Sequence, residues 1–272
     1  MNLFAKAESG APKTQAELLF TAQQRKERHF RANVALTWGI LLFLLVLLFS
    51  GPINIDTTFI KNNMLFIAGG VGETIRISIL SIILATILAL LAALGRLSTF
   101  PPIYALSTFY VSLIRGTPLY LQIMFFFLAL PQLDIRMPGL WAGVLALGLN
   151  YGAYMSEIFR AGLASVGKGQ REAATALGMT PGQTMKRVIL PQAMRFAIPP
   201  TGNEFIAMTK DSALVSATGF VHELTWRAVK VGRAQFHNLE ALIMAAIFYW
   251  TMTIILSYIQ GVIESRLAKG DR

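Results

Sequence analysis

At 272 residues, 54% hydrophobic and only 14% charged, the chain is far more apolar than soluble domains, in which roughly a quarter of residues carry charge. That balance points to an integral membrane protein and leaves no room for a large soluble domain beside a helical bundle. The net charge of +10 is accounted for by membrane sorting, without a nucleic-acid partner, and with zero cysteines disulfides and cysteine-ligated metals are excluded.

Residues 1–33 are polar and read as a cytoplasmic tail, mobile or lying on a surface as a helix. The first apolar run begins at Val34, too late for a cleavable signal, and Gly51-Pro52 follows it in place of a small-residue cleavage site. The segment 34–68 therefore reads as a retained first helix with its outer loop. Further apolar runs lie at about 66–94, 104–130, 139–160, 197–220 and 240–262, each near the roughly 20 residues that cross a bilayer. The expectation is an all-α integral membrane protein of about six transmembrane helices. No inverted internal repeat is visible.

The segment 168–191 interrupts the apolar pattern. Gly169 and Gly178 bracket a short run of good helix formers, with Arg171 and Glu172 in its first turn and alanines giving it a thin face. Pro181 prevents continuation, and Leu190-Pro191 ends the segment before the next membrane helix. On spacing alone, a partner-docking helix and an amphipathic helix lining the bundle's underside remain equal readings.

Flanking charges set the orientation. The tail cations from Lys6 to Arg31, the loop cations from Arg160 to Arg195, Arg96, and Arg266, Lys269 and Arg272 fall on one side. Lys61, Arg136, Arg227, Lys230 and Arg233 fall on the other. Both termini and the 168–191 loop are thus expected in the cytoplasm, and the stretch 222–239 on the outer face.

Glu172-Ala173-Ala174, then Gly178, Val188 and Leu190-Pro191, resemble the signature loop of ABC-importer permeases, with Val188 where that family usually has Ile. Arg115-Gly116-Thr117-Pro118 after Tyr110-Val111, the run Tyr154 to Arg160, and the run Glu204 to Val215 resemble the polar amino acid branch of those permeases, which includes histidine, glutamine, glutamate and arginine importers. Lys210-Asp211-Ser212-Ala213-Leu214 departs from that branch's usual Lys-Asp-Thr-Ser-Leu. The resemblance implies a type I ABC-importer permease bundle, with the permease domain at 69–266 and the ATPase-coupling loop at 168–191, followed by a cytoplasmic tail, 267–272. It further implies that Gly169, Glu172, Ala173, Ala174, Gly178, Leu190 and Pro191 meet the ATPase. The implied partners are an ABC ATPase dimer, a second permease subunit (identical or related), an extracytoplasmic amino-acid-binding protein, membrane lipid and a polar amino acid, in a bacterial inner membrane.

The residues agree on the division of labour. No G-x-x-x-x-G-K-[ST] phosphate loop, metal-ligand cluster or nucleophile elbow occurs, so no cofactor is expected on this chain, ATP and Mg belonging to the partner ATPase. The chain is expected to catalyse no reaction itself. His29, His222 and His237 read as surface residues.

Charges inside spanning helices are expensive and face a cavity or a partner. Arg76, Arg115, Glu157, Glu204, Lys210 and Asp211 fall within the expected spans, three cations against three anions, so they do not select a substrate charge. Arg76 lies about 15 Å in from the outer end of its helix. It can clamp an α-carboxylate with Asp211 taking the α-ammonium, or it snorkels or pairs with Glu73. Lys210-Asp211 reads as a gate or packing pair, and Arg115, beside the helix break that Gly116 and Pro118 predict, as a gating element. Glu157 and Glu204 read as structural anchors, and Asn150, Tyr154 and Asn203 as interhelical hydrogen-bonding groups; the candidates for contact with the substrate are Arg76, Arg115, Asn150, Lys210 and Asp211. The rival from another class is an ion-coupled secondary amino acid carrier, with Glu157 and Asp211 as coupling sites.

Overall fold

The structure, a computed structural model, describes residues 15–50 and 55–268. The charges at Lys6, Lys13, Lys269 and Arg272 and the Gly51-Pro52 turn lie outside the described residues. The chain divides into two compact units, Met1–Asp56 and Thr57–Arg272.

The first unit is one helix, α1 (Gln15–Ser50). Its polar half, read from sequence as a separate tail, is continuous with the apolar half. Thirty-six residues make it about 54 Å long, well beyond a 30 Å hydrocarbon core.

The second unit is all helical among the described residues. Helices α2 (Thr57–Ala68) and α3 (Gly70–Gly95) run as one 39-residue span that holds an 18-residue stretch of mean hydropathy 2.8. Helix α4 (Pro101–Arg115) and helix α5 (Leu119–Leu133) meet at a bend of 102° and together are long and apolar enough to cross. The bend falls where Gly116 and Pro118 predict it, because proline offers no N–H to continue the helix. Then come α6 (Gly139–Ser165), α7 (Lys168–Ala176), α8 (Pro181–Thr184), α9 (Leu190–Asp211), a 3-10 segment (Ser212–Thr218), α10 (Leu224–Gln235) and α11 (Asn238–Ala268). Of these, α11 crosses on its own apolar merit. Helices α6 and α9, expected as spans, are not apolar enough to cross by composition alone.

The core sits between α3 and α6. Ala85, Ala89 and Ala93 face Ala146, Leu147 and Met155, all buried. Small residues let the backbones approach closely. A Cβ at Gly152 would stand 2.7 Å from the Tyr110 hydroxyl and 3.0 Å from Leu88.

The bundle has two distinct ends. At one, Gly70 lies against Leu224 and Gly139 against Thr218, so α10 covers the start of α3 and the end of the 3-10 segment covers the start of α6. At the other, Leu163, Val166, Ile189 and Ala193 form a small apolar cluster beside α7. Helix α10 is held by Glu223, which is fully buried. Its carboxylate accepts hydrogen bonds from Thr225 N (2.8 Å), Trp226 N (2.6 Å) and the Tyr249 hydroxyl (2.7 Å), an N-cap that also ties α10 to α11. His237, read as a surface residue, is half-buried, stacked on Phe59 (4.8 Å) and 3.3 Å from Glu240.

Glu223 lies between the spanning segments, and burial raises its carboxyl above the ordinary 4.5 while its hydrogen bonds pull the other way. The folded chain therefore holds this proton more tightly than the unfolded one. The contribution to stability is full below 4.5 and is lost as pH rises through the folded value. In detergent, the melting temperature of the native chain relative to Glu223→Gln should fall as pH rises from 4.5. A difference that stays flat across that window would contradict this account.

Candidate functional site

Two constellations stand out, one at the α7 end and one inside the bundle.

The Glu-Ala-Ala segment forms α7. It ends in a Schellman motif: Gly178 adopts φ +74°, Gly178 N–H donates to Thr175 O (2.9 Å) and Met179 N–H to Ala174 O (3.0 Å). Gly178 is required there because a side chain at that φ is strained. The next turn opens with a capping box between Thr180 and Gln183, with Pro181 at its first position. Two contacts fix α7 to the bundle: Ala174 is buried, and Arg171 donates to Leu163 O at the end of α6 (3.0 Å). Glu172, Ala173, Ala176 and Leu177 are left exposed. Leu177 is 77% exposed, an apolar contact that the sequence reading passed over although it sits between Ala173 and Gly178. A Cβ at Gly169 would meet nothing within 4 Å, so packing within this chain does not require glycine there. Leu190 is exposed at the start of α9 and Pro191 lies in its first turn.

The second constellation is a cavity of about 600 Å³. It opens at the α4–α5 break, where Arg115 to Leu119 form one wall, and α6 contributes Asn150, Tyr151 and Tyr154. Helix α9 contributes Glu204 and Asp211, seven residues apart and so on one face of the helix. The break is knitted by Gln122, whose amide donates to Ile114 O (2.8 Å) and to the Thr117 hydroxyl (2.8 Å) and accepts from Asn150 (3.3 Å). Asp211 accepts from the Tyr151 hydroxyl at 2.7 Å, and Ser212 begins the 3-10 segment with its hydroxyl on Thr209 O (2.9 Å).

Arg115 lies 5.0 Å over the Tyr154 ring and 3.4 Å from Glu157. Glu157 also pairs with Arg96 and with Arg160 (3.0 Å). One carboxylate thus ties together the end of α3, the end of α4 and α6, and three guanidiniums around it leave the cluster positive.

Of the sequence candidates, Arg115, Asn150 and Asp211 meet in this cavity. Arg76 does not line it: its guanidinium pairs with Glu73 at 3.1 Å. Lys210 is exposed, and Asp211 meets Tyr151 in place of its neighbour. Glu204, read as an anchor near the start of a span, lies well inside α9 because that helix begins at Leu190, not near 197. Among the described residues, no group of three or more acidic, His or Cys side chains is placed to hold a metal ion.

Residues 82–269 match the model of the family described as binding-protein-dependent transport system inner membrane component. The arginine transport system permease protein ArtQ of Bacillus subtilis (strain 168) is 40% identical over 219 residues, covering 80% of this chain and 100% of that protein. The L-cystine transport system permease protein TcyB of the same organism is 44% identical over 202 residues, 74% of this chain and 86% of that one. A solved structure of an amino acid ABC transporter aligns with a TM-score of 0.74 at 36% identity, covering 79% of this chain and 100% of that chain.

Proposed function

The chain belongs to the family of binding-protein-dependent transport system inner membrane components, and on that footing we propose that it is the permease subunit of an ABC importer that carries a basic amino acid of the arginine type. It is a transport subunit and not an enzyme; ATP is hydrolysed by a separate ATPase chain. The observation that carries the substrate class is the charge of the cavity: Glu204 and Asp211 face a single guanidinium, Arg115. An amino acid zwitterion matches one cation and one anion. The second carboxylate calls for a second positive charge on the substrate, and a buried cationic side chain needs such a partner. Arg115 takes the α-carboxylate through its two parallel donors, while Asp211 and Glu204 share the α-ammonium and the side-chain cation. The arginine permease among the relatives supports the same reading, and the cystine permease marks the alternative of a neutral cargo with two zwitterionic ends.

The distribution of basic residues supports a cytoplasmic α7 end and cytoplasmic termini, with α10 on the outer face. The partners are then an ATPase pair, with its ATP and Mg, below α7, a second permease copy or relative in the membrane, and an extracytoplasmic binding protein above. Closure of the ATPase pair pushes on Glu172, Ala173 and Leu177. Because α7 is tied to α6 through Arg171 and Leu163, the push reaches the helix that lines the cavity. Gly169, with open space at its Cβ, leaves room for the ATPase backbone.

The test is equilibrium binding of labelled L-arginine, L-glutamine and L-glutamate to the purified permease–ATPase complex without binding protein. Arginine should bind and be displaced by lysine, and glutamate should not compete. Equal binding of glutamate would overturn the substrate class.

A further inference from the structure

Helix α10 buries one face, and on the opposite one only Trp226 is tied down among the described residues, its indole N–H donating to Gly219 O (3.0 Å). Leu224, Ala228 and Gly232 pack inward, while Lys230 and Arg233 are exposed and Trp226 is half-buried. These outward residues fall at helical spacing on a single stripe. The Lys230 ammonium sits 4.7 Å over the Trp226 ring, on which His222 also stacks at 3.8 Å. Between this stripe and the 3-10 segment lies a cavity of about 520 Å³, lined by Trp226, Lys230 and Arg233 on one side and Ser216, Ala217 and Gly219 on the other. That second wall continues directly from Asp211, so the cavity sits over the end of the element that lines the transport site.

Phe236 extends the stripe by one turn and is anomalous twice. It adopts φ +60° at the C-cap, a left-handed conformation that disfavours bulky residues, and it is 91% exposed. The N–H groups of Phe236 and His237 close the helix on Gly232 O, yet the ring itself stays exposed; residues held in such conformations concentrate at functional sites. Aromatic and arginine side chains are also those that dominate protein interfaces.

Charge identifies the occupant. In this unit the acidic residues near α10 are withdrawn: Glu223 is fully buried, Glu240 is 6% exposed, and Glu73 is engaged by Arg76. Arg227 is spent on Phe66 O (2.9 Å) and His222 O (3.0 Å), but Lys230 and Arg233 make no ion pair among the described residues. The face therefore presents cations and aromatics to an anionic partner. We propose that the stripe Trp226, Lys230, Arg233 and Phe236 is the seat for an acidic, carboxylate-bearing face of the extracytoplasmic binding protein, its carboxylates entering the cavity between α10 and the 3-10 segment. The assignment rests on the importer reading and on the outward orientation of α10.

The permease–ATPase complex in proteoliposomes, titrated with the importer's own arginine-loaded binding protein, tests it through ATP hydrolysis. Lys230→Glu with Arg233→Glu should raise the half-maximal binding-protein concentration at least about tenfold and leave hydrolysis without binding protein unchanged. Phe236→Gly should raise it as well, while its melting temperature holds or rises because the φ strain is relieved. Stimulation of the native complex with the same half-maximal concentration in all variants would overturn the docking seat alone, leaving the stripe to lipid headgroups or a second copy. Absence of any stimulation in the native complex would instead remove the importer reading on which it rests.

Discussion

Replacing Glu172 by lysine should reduce ATP-driven uptake to background while the protein still inserts and assembles. Glu172 is exposed, and among the described residues it has no ion-pair partner, so the fold loses little; surface substitutions of this kind cost within about 0.5 kcal/mol. The effect arises at the partner surface. Helix α7 is short, closed by its Schellman motif and tethered by Arg171 and Ala174, so it moves as a rigid piece. Reversing a charge on its outward face adds repulsion, or an unpaired charge, at the proposed contact with the ATPase. The check is uptake together with basal ATP hydrolysis by the purified complex. Normal uptake in the lysine variant would remove α7 from the transmission path.

Asp211→Asn should weaken arginine binding at least tenfold, about 1.4 kcal/mol, and leave binding of a neutral amino acid much less changed. The substitution keeps the shape of the side chain and its contact with Tyr151 at 2.7 Å but removes the charge. A cation bound in a site shielded from water depends on that charge far more than on the hydrogen bond. Arg115→Ala should weaken every amino acid, because the α-carboxylate is common to all, whereas Arg76→Ala should weaken none strongly, its guanidinium being paired with Glu73 away from the cavity. Direct binding to the purified complex measures both. Equal losses for arginine and glutamine in Asp211→Asn would place that carboxylate on the α-ammonium alone.

The short capped helix of the 168–191 loop was legible in the sequence because all its determinants are local. Gly178, Pro181 and the alanines act within a turn or two of themselves, and their spacing is the structure. The bend at Gly116 and Pro118 was legible for the same reason, although its size, 102°, was not. The cavity inside the bundle is assembled from positions some forty to a hundred residues apart, which counting charges over whole spans does not bring together. Three cations against three anions left the substrate charge open. The fold sorts them, placing Glu204, Asp211 and Arg115 together, sending Arg76 to Glu73 and leaving Lys210 exposed. One signal was available: the seven-residue spacing of Glu204 and Asp211 puts both carboxylates on one helix face. Phe236 carried no local signal, since its significance lies in a backbone angle that only the turn after α10 reveals.

The most direct test of the central claim is uptake of labelled L-arginine into proteoliposomes that hold this chain with its co-purified ATPase, with ATP inside and the binding protein outside. Uptake should require ATP and the binding protein together and stop when either is withheld. Uptake by this chain alone, driven by an imposed proton or sodium gradient with no ATPase present, would contradict the account and establish a secondary carrier.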